Sequence, residues 1–373
     1  MPLGGSKVRQ RATFGSHGLP FRLASGLVSD GPRKGARAKR RNMAGWERRQ
    51  RRVKKARRQR REEARISHFR GRRRQRVRKP GPPAPFIVGM TRSGTTLLRL
   101  MLDSHPELTI PPETHFIPDL VEAFNKGRDT PEEVMAVFTS NRRWGDFGIS
   151  EKQLRKALDG VAPLDKPAFP ARAFYNLYAK GQRKPRWGDK TPGYAMRMRR
   201  IGRVLPEARF IHMIRDGRDV ALSLERRDAG LTTDQVARRW RHRINRARRG
   251  AEHIPHYLEV RYEDLITETE PTLRRICAFI ELDWDPRMLE YHRRAEDRLT
   301  EIERALPAAE DKRGLSADSR VEAHALTSEP PRADRVGMWR SEMGGEDLKT
   351  FDERAGGLLA ELGYARGSST SAS

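Results

Sequence analysis

The residues able to do chemistry fall into four short groups: MTRSGTT at 90–96, PPETHF at 111–116, WGDKTP at 187–192 and IRDGRDVALS at 214–223. Around the first group, Phe86, Ile87 and Val88 form an apolar run. Gly89 and Gly94 bracket a turn, and Thr95, Thr96, Leu97, Leu98 and Leu100 open a helix with an apolar face. A strand, a glycine-bounded loop and a helix N-terminus bring free backbone N–H groups and the positive end of the helix dipole to one point, which suits an anion. The spacing approaches the phosphate-loop pattern G-x-x-x-x-G-K-S/T, but Thr95 stands where the lysine belongs. A nucleoside triphosphatase needs that lysine on its β- and γ-phosphates, so simple ATP or GTP hydrolysis is disfavoured. The loop carries Arg92 instead.

The other groups supply what an anion loop would work with. Transfer to a hydroxyl requires a carboxylate or imidazole to take its proton, and Glu113 and His115 both qualify. Lys190 can neutralise charge that develops on a transferring or leaving group; its bland alternative is a surface ion pair with Asp189. Arg215 stands at the carboxyl end of the apolar run 208–214, and Ser223 follows two helical turns later. A cation at a strand end and a hydroxyl on the following helix can clamp a phosphate in the crevice where α/β sheets bind ligands. The bland alternative makes Arg215, Asp216, Arg218 and Asp219 surface ion pairs. Tyr262 ends a further strand-like run, 257–262.

Taken together, these segments resemble the sulfotransferase superfamily across residues 84 to about 342, most closely its bacterial members akin to the tyrosylprotein branch. The resemblance implies 3′-phosphoadenosine 5′-phosphosulfate (PAPS) as donor and a hydroxyl acceptor. It implies that Arg92, Ser93, Gly94, Thr95 and Thr96 hold the 5′-phosphate, that Arg215 and Ser223 hold the 3′-phosphate, and that Tyr262 lies near the adenine. Glu113 matches the branch's catalytic glutamate; cytosolic members use a histidine, which leaves His115 as competitor. Lys190 matches an active-site lysine, and Arg92 shares its electrostatic work. Arg335 or Arg340 would close over the 3′-phosphate, with Trp339 as packing. No metal is expected. A nucleotide kinase or other P-loop phosphotransferase is the rival enzyme, disfavoured by the missing lysine. Carbohydrate, lipid, phenol and peptide tyrosine all remain open as acceptors.

Elements alternate as such a site requires. Strands at 84–88, 208–214 and 257–262 are separated by helices, with further helices near 131–139, 151–158, 168–180, 233–250, 271–280 and 346–362. This pattern predicts an α/β, P-loop-like three-layer fold with a central parallel sheet flanked by helices. His105 is expected to cap or buttress the loop helix, and the chain beyond about 295 reads as polar and loop-rich.

Charge divides the chain. Residues 1–80 hold 28 Lys+Arg against 4 Asp+Glu, while 81–373 hold 49 against 45. We expect a basic, disordered extension over 1–80 and one sulfotransferase domain over 81–373. The arginine tract 33–80 has three readings: a solvated tail, weak electrostatic binding of nucleic acid or anionic membrane, or translated sequence upstream of a start at Met43 or later. A nucleic-acid-binding protein acting through this tract is therefore the alternative of a different class. The single cysteine, Cys277, excludes an intramolecular disulfide framework and a cysteine-based zinc site. No apolar run is long enough for a transmembrane helix and no signal-peptide core is visible, so a cytoplasmic enzyme is the expectation.

Overall fold

The computed structural model describes residues 80–226, 230–303, 306 and 325–365, and the expectations placed on 1–79 lie outside them. Six strands form: β1 (Ala84–Gly89), β2 (Leu108–Thr109), β3 (Arg186–Trp187), β4 (Asp189–Lys190), β5 (Ala208–Ile214) and β6 (Tyr257–Arg261). The main sheet has the order β4-β1-β5-β6, and every pair in it is parallel. β2 and β3 make a separate parallel pair.

The central strands are apolar without interruption because both of their faces are covered, as parallel sheets require. Successive side chains of β1 and β5 enter different cores. Phe86, Val88 and Phe210 join an aromatic-rich cluster with Phe116, Phe138, Phe174 and Tyr175. Ile87, Ile211 and Met213 join a second cluster with Leu98, Met101, Leu273 and Ile276. The first face is covered by helices α1 (Phe116–Asn125), α2 (Ala168–Gly181) and α3 (Met198–Val204); the second by the loop helix Thr95–Asp103 and by Thr269–Phe279. A third core, with Trp240 and Phe351 at its centre, joins α4 (Gly217–Glu225), α5 (Thr233–Ala251) and α6 (Gly345–Glu361) near the end of β5. The α/β three-layer arrangement is thus as the periodicity implied. Among the described residues, no helix is long and apolar enough to cross a membrane.

Two helices were not expected. α1 starts from His115 at φ 56° without a side-chain cap, so it lacks the Ser, Thr, Asp or Asn signal that marks a start. His292–Leu299 forms within the stretch read as polar, because its inner face mixes Ala295 and Leu299 with the buried Arg298. An arginine in the stripe breaks the apolar period.

Because the main sheet is parallel, the carboxyl ends of its strands share one edge. Gly89, Lys190 and Ile214 end β1, β4 and β5, and Arg215 and Tyr262 directly follow β5 and β6.

Candidate active site

The loop leaving β1 turns tightly. Ser93 N–H donates to the Met90 carbonyl at 3.3 Å. Arg92 has φ 72° and Gly94 φ 81°, both in the left-handed region. Glycine is required at 94 for a second reason: a Cβ there would stand 2.5 Å from Tyr262 Cδ2. No side chain caps the helix Thr95–Asp103, so the amides of its first turn have no intrahelical acceptor. Ser93, Thr95 and Thr96 line this turn, all at least nine-tenths buried.

Beside the loop lies a carboxylate held by two cations and a histidine. Lys190 Nζ stands 3.0 Å from Glu113 Oε1 and 3.3 Å from Thr96 Oγ1. Arg143 Nη2 lies 3.2 Å from Glu113 Oε2, and His115 Nε2 donates to that oxygen at 3.0 Å. Burial alone would raise Glu113. Lys190, Arg143 and His115 overcome it and hold the carboxyl well below the usual carboxylate range. Burial pulls Lys190 down, against the attraction of Glu113. Glu113 therefore stands ionised, with one-fifth of its side chain open to solvent.

Asp189 explains how these groups are positioned. The sequence left it open as a surface partner of Lys190, but the two side chains alternate across β4 and point apart. Asp189 is fully buried. Its Oδ2 accepts from Thr114 Oγ1 at 2.6 Å and from Tyr175 Oη at 2.9 Å. Thr191 Oγ1 accepts from the Thr114 amide at 3.0 Å. The 189–191 segment thus fixes the backbone on both sides of the Glu113–Lys190 contact. Burial pushes the Asp189 carboxyl up, although Thr114, Tyr175 and Thr191 donate to it.

At the end of β5 is a second cationic group. Arg215 Nη2 donates to the Arg335 carbonyl at 2.7 Å and Nη1 to the Arg92 carbonyl at 3.3 Å. Its guanidinium lies 4.4 Å from the Tyr262 ring centroid. Its Nε is buried with no hydrogen-bond partner, as is that of Arg335. Arg92 Nε donates to Ser223 Oγ at 2.8 Å. The loop arginine thus turns toward the Arg215 and Ser223 side, and Lys190 is the cation that joins loop to carboxylate.

The reading of 215–219 as a surface ion-pair run is wrong, since Arg215, Asp216, Arg218 and Asp219 are all buried. Arg218 pairs with Asp216 at 2.8 Å and stacks 3.5 Å from the Trp339 ring centroid. Asp219 accepts from the Gly337 and Trp339 amides at 2.8 and 3.0 Å, which ties the late segment across the site. Trp339 packs as expected, whereas Arg340 is exposed. His105 donates to the Asp283 carbonyl and accepts from the Glu107 amide, at the end of the loop helix remote from the anion turn.

Sequence reasoning missed Arg143 and the anchoring by Asp219. Arg143 lies in a stretch without a motif, and only the fold brings it across to Glu113. Asp219 was visible as an acidic residue in a helix's first turn, but its partners are backbone amides about 120 residues away.

An uncapped helix start after a left-handed glycine, an ionised carboxylate with a bridging lysine, and a second arginine group at one edge of a parallel sheet are the features of a P-loop-like α/β enzyme fold. The Sulfotransferase family model matches residues 83–286; the chain belongs to this family. Among curated relatives it is 27% identical over 217 residues to Protein-tyrosine sulfotransferase A of Caenorhabditis elegans, covering 56% of this chain and 52% of that protein. It is 27% identical over 218 residues to Protein-tyrosine sulfotransferase of Drosophila melanogaster, covering 56% and 40%. The chain therefore spans about half the length of the curated relatives it matches. Among solved structures, the sulfotransferase domain of the Synechococcus PCC 7002 olefin synthase aligns at TM-score 0.48 and 22% identity, covering 74% of this chain and 96% of that one. Mouse sulfotransferase SULT7A1 complexed with PAP aligns at 0.38 and 14%, covering 77% and 84%.

Proposed function

We propose that the chain transfers a sulfuryl group from PAPS to a hydroxyl acceptor. The observation that carries this reading is the single ammonium of Lys190 in reach of both Thr96 on the loop and Glu113. It puts the anion site, the electrophilic assistance and the base within one residue's span.

The residues suit the donor. The uncapped first turn and the left-handed Gly94 leave a cradle that a side chain would fill, and the buried Nε of Arg215 is a donor without a hydrogen-bond acceptor, as is that of Arg335, whose nearest carboxylate, Asp334, stands 4.0 Å away. In this reading Ser93, Gly94, Thr95 and Thr96 hold the 5′-phosphate. Arg215, Ser223 and Arg335 hold the 3′-phosphate, with Arg92 between the two groups and Tyr262 supporting Gly94 and Arg215. Bound there, the donor supplies an activated sulfuryl group on a phosphate leaving group.

Glu113, ionised at neutral pH, accepts the acceptor's hydroxyl proton as the oxygen bonds to sulfur and the sulfur–phosphate oxygen bond breaks. Lys190 stabilises the charge that passes to the leaving phosphate. His115 and Arg143 keep Glu113 aimed and ionised. His115 is the weaker base candidate because its Nε2–H is spent on Glu113.

Incubating the full chain with radiolabelled PAPS and a panel of carbohydrate, phenol, lipid and tyrosine-peptide acceptors tests this. Labelled product is expected with at least one class, together with measurable binding of 3′-phosphoadenosine 5′-phosphate. Absence of that binding, with tight magnesium-dependent ATP binding in its place, would return the kinase reading. The cytoplasm is kept as the proposed compartment, to be checked by fractionation of the producing cells.

A further inference from the structure

Outside the site, the described residues gather positive charge around a hollow. A cavity of about 500 Å³ lies between α3 with its preceding residues and the last turns of α5. Six arginines line it: Arg197, Arg199, Arg200, Arg203, Arg246 and Arg249, joined by His253. No carboxylate is among the lining residues. All six arginines are exposed, and among the described residues none of them has an ion-pair or side-chain hydrogen-bond partner.

Some arginines of the same helix do pair with acids. Arg238 pairs with Asp234, and Arg248 with Glu259 and Glu361. Glu122 feels Arg200 but is paired to Lys126. The floor is built and buried: Met198 and Ala195 are at most 4% exposed. The cavity is also separate from the transfer site. Its helices lead to the amino ends of β5 and β6, whereas the site lies at the carboxyl ends, and it shares no residue with the loop, Glu113, Lys190, Arg215 or Ser223.

Six like charges around one hollow, with no carboxylate among them, concentrate positive potential there and attract anions. They sit in a part of the chain whose basic and acidic residues nearly balance, 49 against 45 over 81–373. Guanidinium forks match the edges of tetrahedral oxyanions, singly or bidentately. A cavity of this size falls within the range of small-molecule sites, about 300–1,000 Å³. We propose that this cavity binds a compact ligand carrying two or more phosphate or sulfate esters. It does so independently of the transfer reaction. A soluble polyphosphorylated molecule and a lipid headgroup share this chemistry.

The test uses the full chain and two probes: inositol hexakisphosphate in solution, and phosphatidylcholine vesicles with and without phosphatidylinositol bisphosphate. Four proteins are compared: wild type, Arg200→Glu/Arg246→Glu, Arg215→Ala at the transfer site, and Arg57→Gln/Arg58→Gln/Arg60→Gln/Arg61→Gln in the basic tract. The cavity variant is expected to weaken binding of at least one probe by about tenfold or more, at an unchanged melting temperature. The other two variants should keep that binding. Loss confined to the soluble probe identifies a free ligand, and loss of vesicle binding as well identifies a headgroup. Should the cavity variant melt early, Arg200→Gln/Arg246→Gln replaces it. Full retention of both probes by a folded cavity variant, with loss in the Arg215 or tract variant, overturns the proposal.

Discussion

The two charged regions of the site are built on opposite plans. Around Glu113, charge is answered by charge: one carboxylate meets Lys190 and Arg143 and accepts a hydrogen bond from His115. Around Arg215, the guanidinium is held by backbone carbonyls and an aromatic face, and its Nε is left without an acceptor. Asp219, 3.8 Å away, is occupied with the amides of Gly337 and Trp339. The first region satisfies its own charges, whereas the second leaves a buried guanidinium N–H without an acceptor. In the proposed transfer, keeping a base ionised and holding an anionic donor fall to these separate groups, with Lys190 and the loop between.

The strongest way to break this division is Glu113→Gln. Turnover should fall by about 10²- to 10⁴-fold, as for loss of a general base, while affinity for 3′-phosphoadenosine 5′-phosphate stays within about twofold. Equal loss of donor affinity would make Glu113 part of the clamp instead.

Lys190→Met comes next, with an expected loss of about 10²- to 10³-fold in turnover. It also sharpens the electrostatic claim. With Lys190 present, the Glu113 pKa is depressed, and the base form persists down to low pH. Without it, burial acts with less opposition and the pKa rises. The acid limb of the kcat/KM profile should therefore move to higher pH. An unmoved limb would separate the two residues.

Arg215→Ala should act on the other region. Loss of charge-assisted hydrogen bonds of about 1.5–3 kcal/mol corresponds to roughly 10- to 100-fold weaker binding of the donor product by calorimetry. The acid limb set by Glu113 should not move. The smallest effect is expected from Gly94→Ala, which places a side chain at φ 81° and against Tyr262. The left-handed conformation alone costs about 1–2 kcal/mol, seen as a melting temperature lowered by several degrees. Since Tyr262 also supports Arg215, donor binding should weaken with it while the pH limb stays in place.

Much of this was legible in the residues. The strands of the main sheet were marked by runs such as Phe86–Val88 and 208–214, because burial on both faces demands unbroken apolar character. Capped helices were equally plain: Thr232 with Gln235 opens α5 through a capping box. Where caps or periodicity failed, the elements were missed, as with α1 behind His115 and the helix carrying the buried Arg298. Local spacing marked the loop and Arg215, by glycines around a turn and a cation at a strand end, whereas Glu113 and Lys190 were singled out through the family resemblance.

By itself, the sequence determined which local pieces could bind an anion and which could take a proton, since loop turns, helix starts and strand ends are set by residues a few positions apart. It could not decide who partners whom. Only the parallel sheet sets Lys190 beside both Thr96 and Glu113, turns Asp189 inward to Thr114, sends Arg92 to Ser223 and gathers six arginines over one hollow. Those pairings join residues tens to more than a hundred positions apart, and their geometry follows from strand register and helix packing rather than from any local propensity.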